Sequence, residues 1–142
     1  MQLIDHDTLG MAELVELYDS VGWSTYTAQP RDLFEGVRRS TYWVTARDGI
    51  RLVGLARCVS DDYSIMYLQD ILVRPDHQGQ GVGSQLIQKC LSRFDHVRQQ
   101  VLLTDDEPAQ HALYRSAGFA DVAGLKNNAL HAFVSMKGVE LS

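Results

Sequence analysis

The chain has 142 residues, of which 45% are hydrophobic and 22% are charged, and its formal net charge is −5. This length favours one domain, spanning residues 1–142. The acidic balance argues against a general nucleic-acid binder, and no apolar run approaches the ~20 residues of a membrane span. The N-terminus lacks the basic start and apolar stretch of a signal peptide, so a cytoplasmic protein with neither nucleic-acid nor membrane partners is expected.

The first quarter of the chain predicts a strand followed by two short helices. Residues 3–4 suggest the strand, and Asp7 or Thr8 is expected to cap a helix that ends at Gly22. An aromatic loop, residues 23–27, then leads to a second helix over residues 31–39.

The middle of the chain predicts three strands in succession. Residues 41–47 favour extended structure, and Asp48-Gly49 indicates a tight hairpin to a returning strand over residues 50–59. Residues 65–73 form the next strand. Its side chains are expected to alternate, with one face carrying Tyr67, Gln69 and Ile71 and the other Leu68, Asp70 and Leu72.

The last part of the chain alternates helices and strands. A helix is predicted over residues 82–94, a short apolar strand over 101–103, a second helix from about 105 to 117 and a final strand over 130–136. Strands 65–73 and 101–103 are joined through a helix and should therefore be parallel. The whole order predicts a mixed sheet with helices on both faces.

A glycine-rich stretch joins strand 65–73 to the helix that follows it. Glycines allow positive φ and a close approach of the backbone to a ligand, and a helix start offers N–H groups and a partial positive charge. Together they predict a site for a phosphate or pyrophosphate. A Walker loop is excluded by Gly83-Ser84-Gln85, and a dinucleotide fingerprint counted from Gly79 has a serine at its third glycine position. The predicted anion-binding residues are Gln78, Gly79, Gln80, Gly81, Val82, Gly83 and Ser84.

Two motifs in this order carry a resemblance. Gln78, Gly81 and Gly83 fit Gln/Arg-x-x-Gly-x-Gly/Ala after an apolar strand, and residues 113–119 fit Leu-Tyr-x-x-x-Gly-Phe. Over roughly residues 42–133 the chain resembles the GNAT superfamily of N-acetyltransferases. The resemblance implies an α/β (α+β) GNAT fold. Its mixed, twisted sheet would have about six to seven strands, with two central parallel strands splayed around the coenzyme.

The same resemblance implies acetyl-coenzyme A as acyl donor and no metal. The pyrophosphate would lie on the glycine loop, and pantetheine would run along Ile71, Leu72 and Val73. A backbone N–H of Leu72 or Val73 would polarise the thioester carbonyl. The histidines lack metal-ligand spacing, and Cys58 and Cys90 are expected to be buried free thiols.

Tyr114 is implied as the general acid that protonates the leaving thiolate, with ring packing as the alternative role. Asp70 is a candidate base or amine-orienting group, with a buried structural pairing as its alternative and water as the alternative base. Tyr67 and Gln69 occupy positions where several subfamilies carry a basic Glu or His, and neither is a base at neutral pH.

The segment between the first two helices overhangs the acceptor pocket in the family. Trp23 and Tyr26, together with Tyr67 and Gln69, are therefore candidate substrate-binding residues, although Trp23 and Tyr26 could instead anchor the helices to the sheet. The resemblance predicts an acyltransferase that acetylates a primary amine, expected to be a small molecule, by direct attack in a ternary complex. A protein or peptide acceptor and a non-catalytic acyl-coenzyme A sensor are the alternatives, and a homodimer is left open.

Overall fold

A computed structural model describes residues 1–141. Its strands are β1 (Gln2–Asp5), β2 (Tyr42–Asp48), β3 (Arg51–Ser60), β4 (Ile65–Val73) and β5 (Gln99–Leu102). Its helices are α1 (Met11–Ser20), α2 (Ser24–Thr27), α3 (Pro30–Arg38), α4 (Val82–Arg93) and α5 (Pro108–Ser116), and three single 3₁₀ turns begin at Pro75, Val122 and Lys126. The chain divides into two compact units, one from Met1 to Asp105 and one from Asp106 onward.

The first unit contains one five-stranded sheet in the order β1-β2-β3-β4-β5. The pairs from β1 to β4 are antiparallel, and β4 and β5 are parallel, as the helix between them predicts. The hairpin between β2 and β3 turns at Gly49, whose φ of +62° explains the glycine there.

Helices cover both faces of this sheet, as predicted. On one face α1 and α3 share a buried cluster with the strands, formed by Leu14, Leu17, Tyr18, Leu33, Val37, Leu52, Leu55 and Leu72. On the other face α4 lies close to the sheet at Gly54, where an added Cβ would come within 3.1 Å of the Leu86 side chain and 3.4 Å of Ala46 Cβ. Gly54 therefore allows a close approach of helix and strand.

The N-terminus of α1 differs from the prediction. The helix begins after Gly10, whose N–H donates to Glu13 Oε2 at 2.9 Å. Asp7 is not the cap, because its carboxylate accepts hydrogen bonds from Arg47 Nε and Thr45 Oγ1, both at 2.7 Å. The local pattern assigns Asp7 to the start of the helix, but its side chain is hydrogen-bonded to residues of β2 instead.

The second unit contains α5 and the segment that follows it. Helix α5 ends at Ser116, and Gly118, two residues beyond it, has a φ of +99°. The strand predicted over residues 130–136 is wrong for this structure, in which these residues are irregular and exposed. The sheet therefore has five strands in the described part of the chain, fewer than the six to seven expected. The alternating apolar pattern is present, but extended structure needs a neighbouring strand to accept its backbone hydrogen bonds.

Candidate active site

Strand β4 has a free edge at its C-terminal end. On the β5 side its pairing runs only from Ile65 to Leu68, whereas on the β3 side it continues to Val73. Within residues 1–141, no strand covers residues 69–73 on the side where β5 has ended. The two parallel strands thus pair at one end and leave β4 open at the other.

The register with β3 identifies the backbone groups that face this edge. Arg74 N–H donates to Val53 O at 2.8 Å, and hydrogen-bonded and non-hydrogen-bonded pairs alternate along an antiparallel ladder. The backbone of Leu72 therefore faces β3, and that of Ile71 and Val73 faces the free edge. The carbonyl of Val73 agrees with this, because it accepts Gln78 Nε2 at 2.9 Å rather than a β3 donor.

The glycine loop follows this edge directly. Gly79 and Gly81 have φ of +77° and +82°, and Gly81 is the N-cap of α4 with no side-chain cap among the described residues. An added Cβ at either glycine would meet nothing within 4 Å, so the backbone conformation, and not lack of room, requires glycine. The first helical hydrogen bond is from Gln85 N–H to Gly81 O at 3.0 Å. The N–H groups of residues 82–84 thus precede the helical ladder, where an anion binds best.

Ion pairs fix the turn between the edge and the loop. The ring of His77 lies between Asp76, at 2.7 Å from Nδ1, and Asp48, at 3.0 Å from Nε2. Hydrogen bonds to these two carboxylates raise the pKa of His77. Arg51 pairs with Asp76 at 3.1 Å, which further connects the turn to the β2–β3 hairpin.

Asp70 is at the centre of a buried polar cluster. Its side chain accepts hydrogen bonds from Tyr18 Oη at 2.8 Å, Tyr26 Oη at 2.7 Å and Arg57 Nε at 2.5 Å, and the residue is 4% exposed. Burial and the charge of Asp70 raise the pKa of both phenols, so that they remain neutral hydrogen-bond donors. These three hydrogen bonds engage most of the roughly four acceptor sites of an ionised carboxylate.

A β-bulge brings Gln69 into the same cluster. Arg57 pairs with Asp70 and Cys58 with Leu68, which leaves Gln69 as the extra residue on β4. Gln69 Nε2 consequently donates to Tyr26 Oη at 3.0 Å. The prediction that Gln69 and Asp70 lie on opposite faces of the strand is wrong, because strict alternation does not hold across a bulge.

The aromatic residues between the first helices lie on this cluster. The rings of Tyr18 and Tyr26 are 5.1 Å apart, and Trp23 lies 5.7 Å from Tyr18 and 6.1 Å from Tyr26. The expected loop at residues 23–27 contains the short helix α2, which Tyr26 connects to the sheet. Tyr67 is half-buried on β4, and burial raises the pKa of its phenol.

Sequence reasoning missed two members of the cluster, Tyr18 and Arg57. Tyr18 lies at one of the apolar-spaced positions of the first helix, and such a position predicts packing in the core rather than a polar contact. Arg57 offered a clearer signal, since it is an arginine within an otherwise apolar and buried strand, and such a charge requires a partner. The structure identifies that partner as Asp70.

Tyr114, the predicted acid, lies in the second unit near the C-terminal end of α5. The residue is 7% exposed, and its ring packs edge-on against Phe119 with centroids 6.3 Å apart. Both residues belong to the Leu-Tyr-x-x-x-Gly-Phe motif. Two residues of the motif therefore pack against each other within the second unit.

The two cysteines agree with the prediction made for them. Cys58 and Cys90 are buried free cysteines, as expected. The described residues contain no group of three or more His, Cys, Asp or Glu side chains arranged to hold a metal ion. Over the same part of the chain, no helix has both the length and the apolar character needed to cross a membrane.

Comparisons with known proteins agree on one family. The family model described as acetyltransferase (GNAT) family matches residues 9–119. An uncharacterised N-acetyltransferase of the ycf52-like type from Prochlorococcus marinus is 31% identical over 79% of this chain and 63% of its own length. Histone acetyltransferase TAP1 of Glycine max is 30% identical over 80% of this chain and 54% of its own length. The chain therefore spans only about half to two thirds of these curated relatives.

A solved structure covers the chain more completely. A GNAT-family acetyltransferase from Streptococcus pneumoniae aligns with a TM-score of 0.80 and 27% identity, over 97% of this chain and 98% of its own. The fold is thus similar to that of a solved acetyltransferase over almost the whole length of the chain.

Proposed function

The chain belongs to the GNAT family of acetyltransferases, and we propose that it transfers the acetyl group of acetyl-coenzyme A directly to a primary amine held in the same complex. One observation carries this proposal. The free edge of β4 leads within a few residues to a left-handed glycine that caps the start of α4. Acetyl-coenzyme A contains an amide-bearing pantetheine arm followed by a pyrophosphate. The free edge of β4 would bind the arm, and the glycine loop that follows it would bind the pyrophosphate.

The two elements supply different contacts to the donor. Ile71 and Val73 present their backbone groups at the strand edge, on which the pantetheine amides would pair like an added strand, whereas the backbone of Leu72 between them faces β3. The loop from Gln78 to Ser84 presents backbone N–H groups to the pyrophosphate, each worth about 1.5–3 kcal/mol when the acceptor is charged. Positioning of the thioester is then a consequence of the backbone alone.

In the proposed reaction, the amine nitrogen attacks the thioester carbonyl carbon. A C–N bond forms, the C–S bond breaks and the thiolate leaves. Val73 N–H faces the free edge and is the backbone group proposed to polarise the carbonyl oxygen. Water takes one proton from the acceptor ammonium before the attack and a second from the nitrogen after the C–N bond has formed. The thiolate, with a thiol pKa near ~8.5, receives a proton from the phenol of Tyr114, whose type ionises near ~10, and the phenolate regains a proton from solvent.

Asp70 is proposed to position the acceptor side of the site. Arg57 balances the negative charge of Asp70. The hydrogen bond that Asp70 accepts from Tyr26 orients the phenol, and the phenol oxygen also accepts a hydrogen bond from Gln69. The groups offered to an acceptor by Trp23, Tyr26, Tyr67 and Gln69 are uncharged. An acceptor would therefore be held by hydrogen bonds and aromatic contact, which favours a small neutral or singly charged amine.

The alternative acceptor is a protein lysine. The specific observation in its favour is the 30% identity with a relative that is named a histone acetyltransferase. The same acetyl-transfer steps would apply, and only the acceptor side would differ.

The test measures acceptor-dependent release of coenzyme A thiol from acetyl-coenzyme A. The panel contains small primary amines, a lysine-containing peptide and a no-acceptor control, and mass spectrometry locates the acetyl group. We expect N-acetylation of a small amine above the no-acceptor rate. Turnover of the peptide alone would favour the alternative, and binding of acetyl-coenzyme A without turnover of any acceptor would favour a sensor.

A further inference from the structure

One histidine anchors the turn that leads into the glycine loop. Residues 75–81 are exposed except for His77, whose side chain is only 13% exposed. Its Nδ1 lies 2.7 Å from Asp76 Oδ1, and its Nε2 lies 3.0 Å from Asp48 Oδ2. His77 directly precedes the loop, and Asp48 is the last residue of β2. The ring therefore connects the loop to the β2–β3 hairpin.

Only a protonated ring satisfies both contacts. An ionised carboxylate accepts hydrogen bonds and donates none, whereas neutral imidazole has a single N–H and one lone pair. If His77 were neutral, the lone pair of one ring nitrogen would face a carboxylate oxygen. The imidazolium donates from both nitrogens, and these two hydrogen bonds raise the pKa of His77 and lower the pKa values of Asp48 and Asp76.

The other charges around this ring act on the two carboxylates. Arg51, at the start of β3, pairs with Asp76 at 3.1 Å, and the amino group at Met1 lowers the pKa of Asp48. Both cations keep the carboxylates ionised. The histidine is thus the member of the cluster that titrates nearest to neutral pH.

The glycine loop has few contacts of its own to fix its conformation. Gly79 and Gly81 adopt positive φ, which glycine allows but does not enforce, and an added Cβ at either position would have no neighbour within 4 Å. Gln78 connects the loop to its own strand through the hydrogen bond from Nε2 to Val73 O. His77 supplies a connection to a different element. A loop that is already held in its binding conformation loses less entropy when a ligand binds.

We propose that protonated His77 is a positioning residue, which holds the turn at residues 75–77 against the β2–β3 hairpin and so places the glycine loop to receive the pyrophosphate. The inference rests on the proposed function. Coenzyme affinity should then fall as pH rises through the pKa of His77, which is raised above its ordinary value of about 6.5. The reason is that the neutral ring keeps only one of its two contacts.

Calorimetry with acetyl-coenzyme A, from about pH 6 to about pH 9, is the first measurement. Wild-type affinity should fall by about fivefold over this range, at the low end of couplings between sites because the ion pairs are partly exposed. His77→Gln cannot titrate, so it should bind more weakly at low pH and show no such fall. Comparison with this variant also removes the titration of the coenzyme's own phosphates, which is common to both proteins.

His96→Gln is the matched control. His96 is also a histidine beside an aspartate, with Nε2 at 2.8 Å from Asp62 O, but it lies beyond the C-terminal end of α4, away from the loop at its start. This variant should follow the wild type at every pH.

Asp48→Ala separates positioning from simple attraction of charges. The change removes a negative charge near the loop, so charge alone predicts equal or tighter binding of the anionic coenzyme. Positioning predicts weaker binding, because His77 loses its contact with the hairpin. By linkage, proton NMR should show a higher pKa of His77 in the complex than in the free protein, by about 0.7 for a fivefold coupling.

Three results would overturn the inference while the proposed function stands, since the coenzyme still binds in each. They are a wild-type affinity that does not fall with pH, an equal fall in His77→Gln, and equal or tighter binding in Asp48→Ala. Failure of the wild type to bind acetyl-coenzyme A at any pH would instead contradict the proposed function, and the inference with it.

Discussion

The pairing of Arg57 with Asp70 gives the sharpest energetic prediction. The side chains are 11% and 3% exposed, and their closest atoms are 2.5 Å apart. Arg57→Met removes the cation and leaves a buried carboxylate with only two phenols. Loss of one partner of a buried pair costs about 3–5 kcal/mol. Because both side chains are almost fully shielded, little of this is removed by solvent screening.

A double-mutant cycle isolates the interaction. Arg57→Met, Asp70→Leu and the double variant are compared by urea unfolding, and the double variant should be less destabilised than the sum of the single changes by about 1–3 kcal/mol. The exposed pair Arg39–Glu35, at 3.1 Å with side chains 78% and 33% exposed, is the control and should couple by less than about 0.5 kcal/mol. Equal couplings for the two pairs would refute the reasoning that Asp70 is a buried anchor.

Three further predictions address the acid, the packing and the buried phenols. Tyr114→Phe should lower kcat by about 10²–10⁴-fold with little change in melting temperature. The loss of kcat should be smaller with an acyl donor whose leaving thiol is more acidic, and a wild-type kcat in the variant would contradict the acid role. Gly54→Val should destabilise by about 1–3 kcal/mol in urea unfolding, since its Cβ would lie 3.3 Å from Leu72 O, whereas Gly36→Ala, with only an Arg57 nitrogen at 3.6 Å, should be neutral or stabilising. The pKa of Tyr18 is raised in the folded state, so above pH ~10 the unfolded chain binds fewer protons than the folded chain, and the free energy of unfolding falls as pH rises. Measured by urea unfolding, this fall should be shallower in Tyr18→Phe than in the wild type. Equal slopes for the two proteins would contradict the prediction.

Local patterns predicted the elements that depend on local chemistry. The turn at Gly49 and the positive φ at Gly79 and Gly81 follow from the conformational freedom of glycine, and the strand from Ile65 to Val73 follows from its run of apolar and aromatic residues. The parallel pairing of β4 and β5 followed from the helix that joins them. These features needed no knowledge of distant neighbours.

The features that sequence reasoning missed depend on pairing between distant segments. The bulge at Gln69 comes from the register with β3, and no pattern within β4 reveals it. Arg47 takes the carboxylate of Asp7 away from the helix start, across 40 residues of sequence. The strand predicted over residues 130–136 has the right side chains, but its formation depends on a partner strand that the pattern does not supply.

Binding of acetyl-coenzyme A to the glycine loop tests the central claim most directly. Calorimetry would compare the wild type with Gly81→Trp and with Gly22→Trp, since these glycines have φ of +82° and +78° and both lack neighbours within 4 Å of an added Cβ. The backbone strain is thus matched, and only the first variant fills the proposed pyrophosphate site. We expect Gly81→Trp to lose at least about 100-fold in affinity, equivalent to one or two charged hydrogen bonds, and Gly22→Trp to bind normally. Normal affinity in Gly81→Trp, or an equal loss in both variants, would contradict the account.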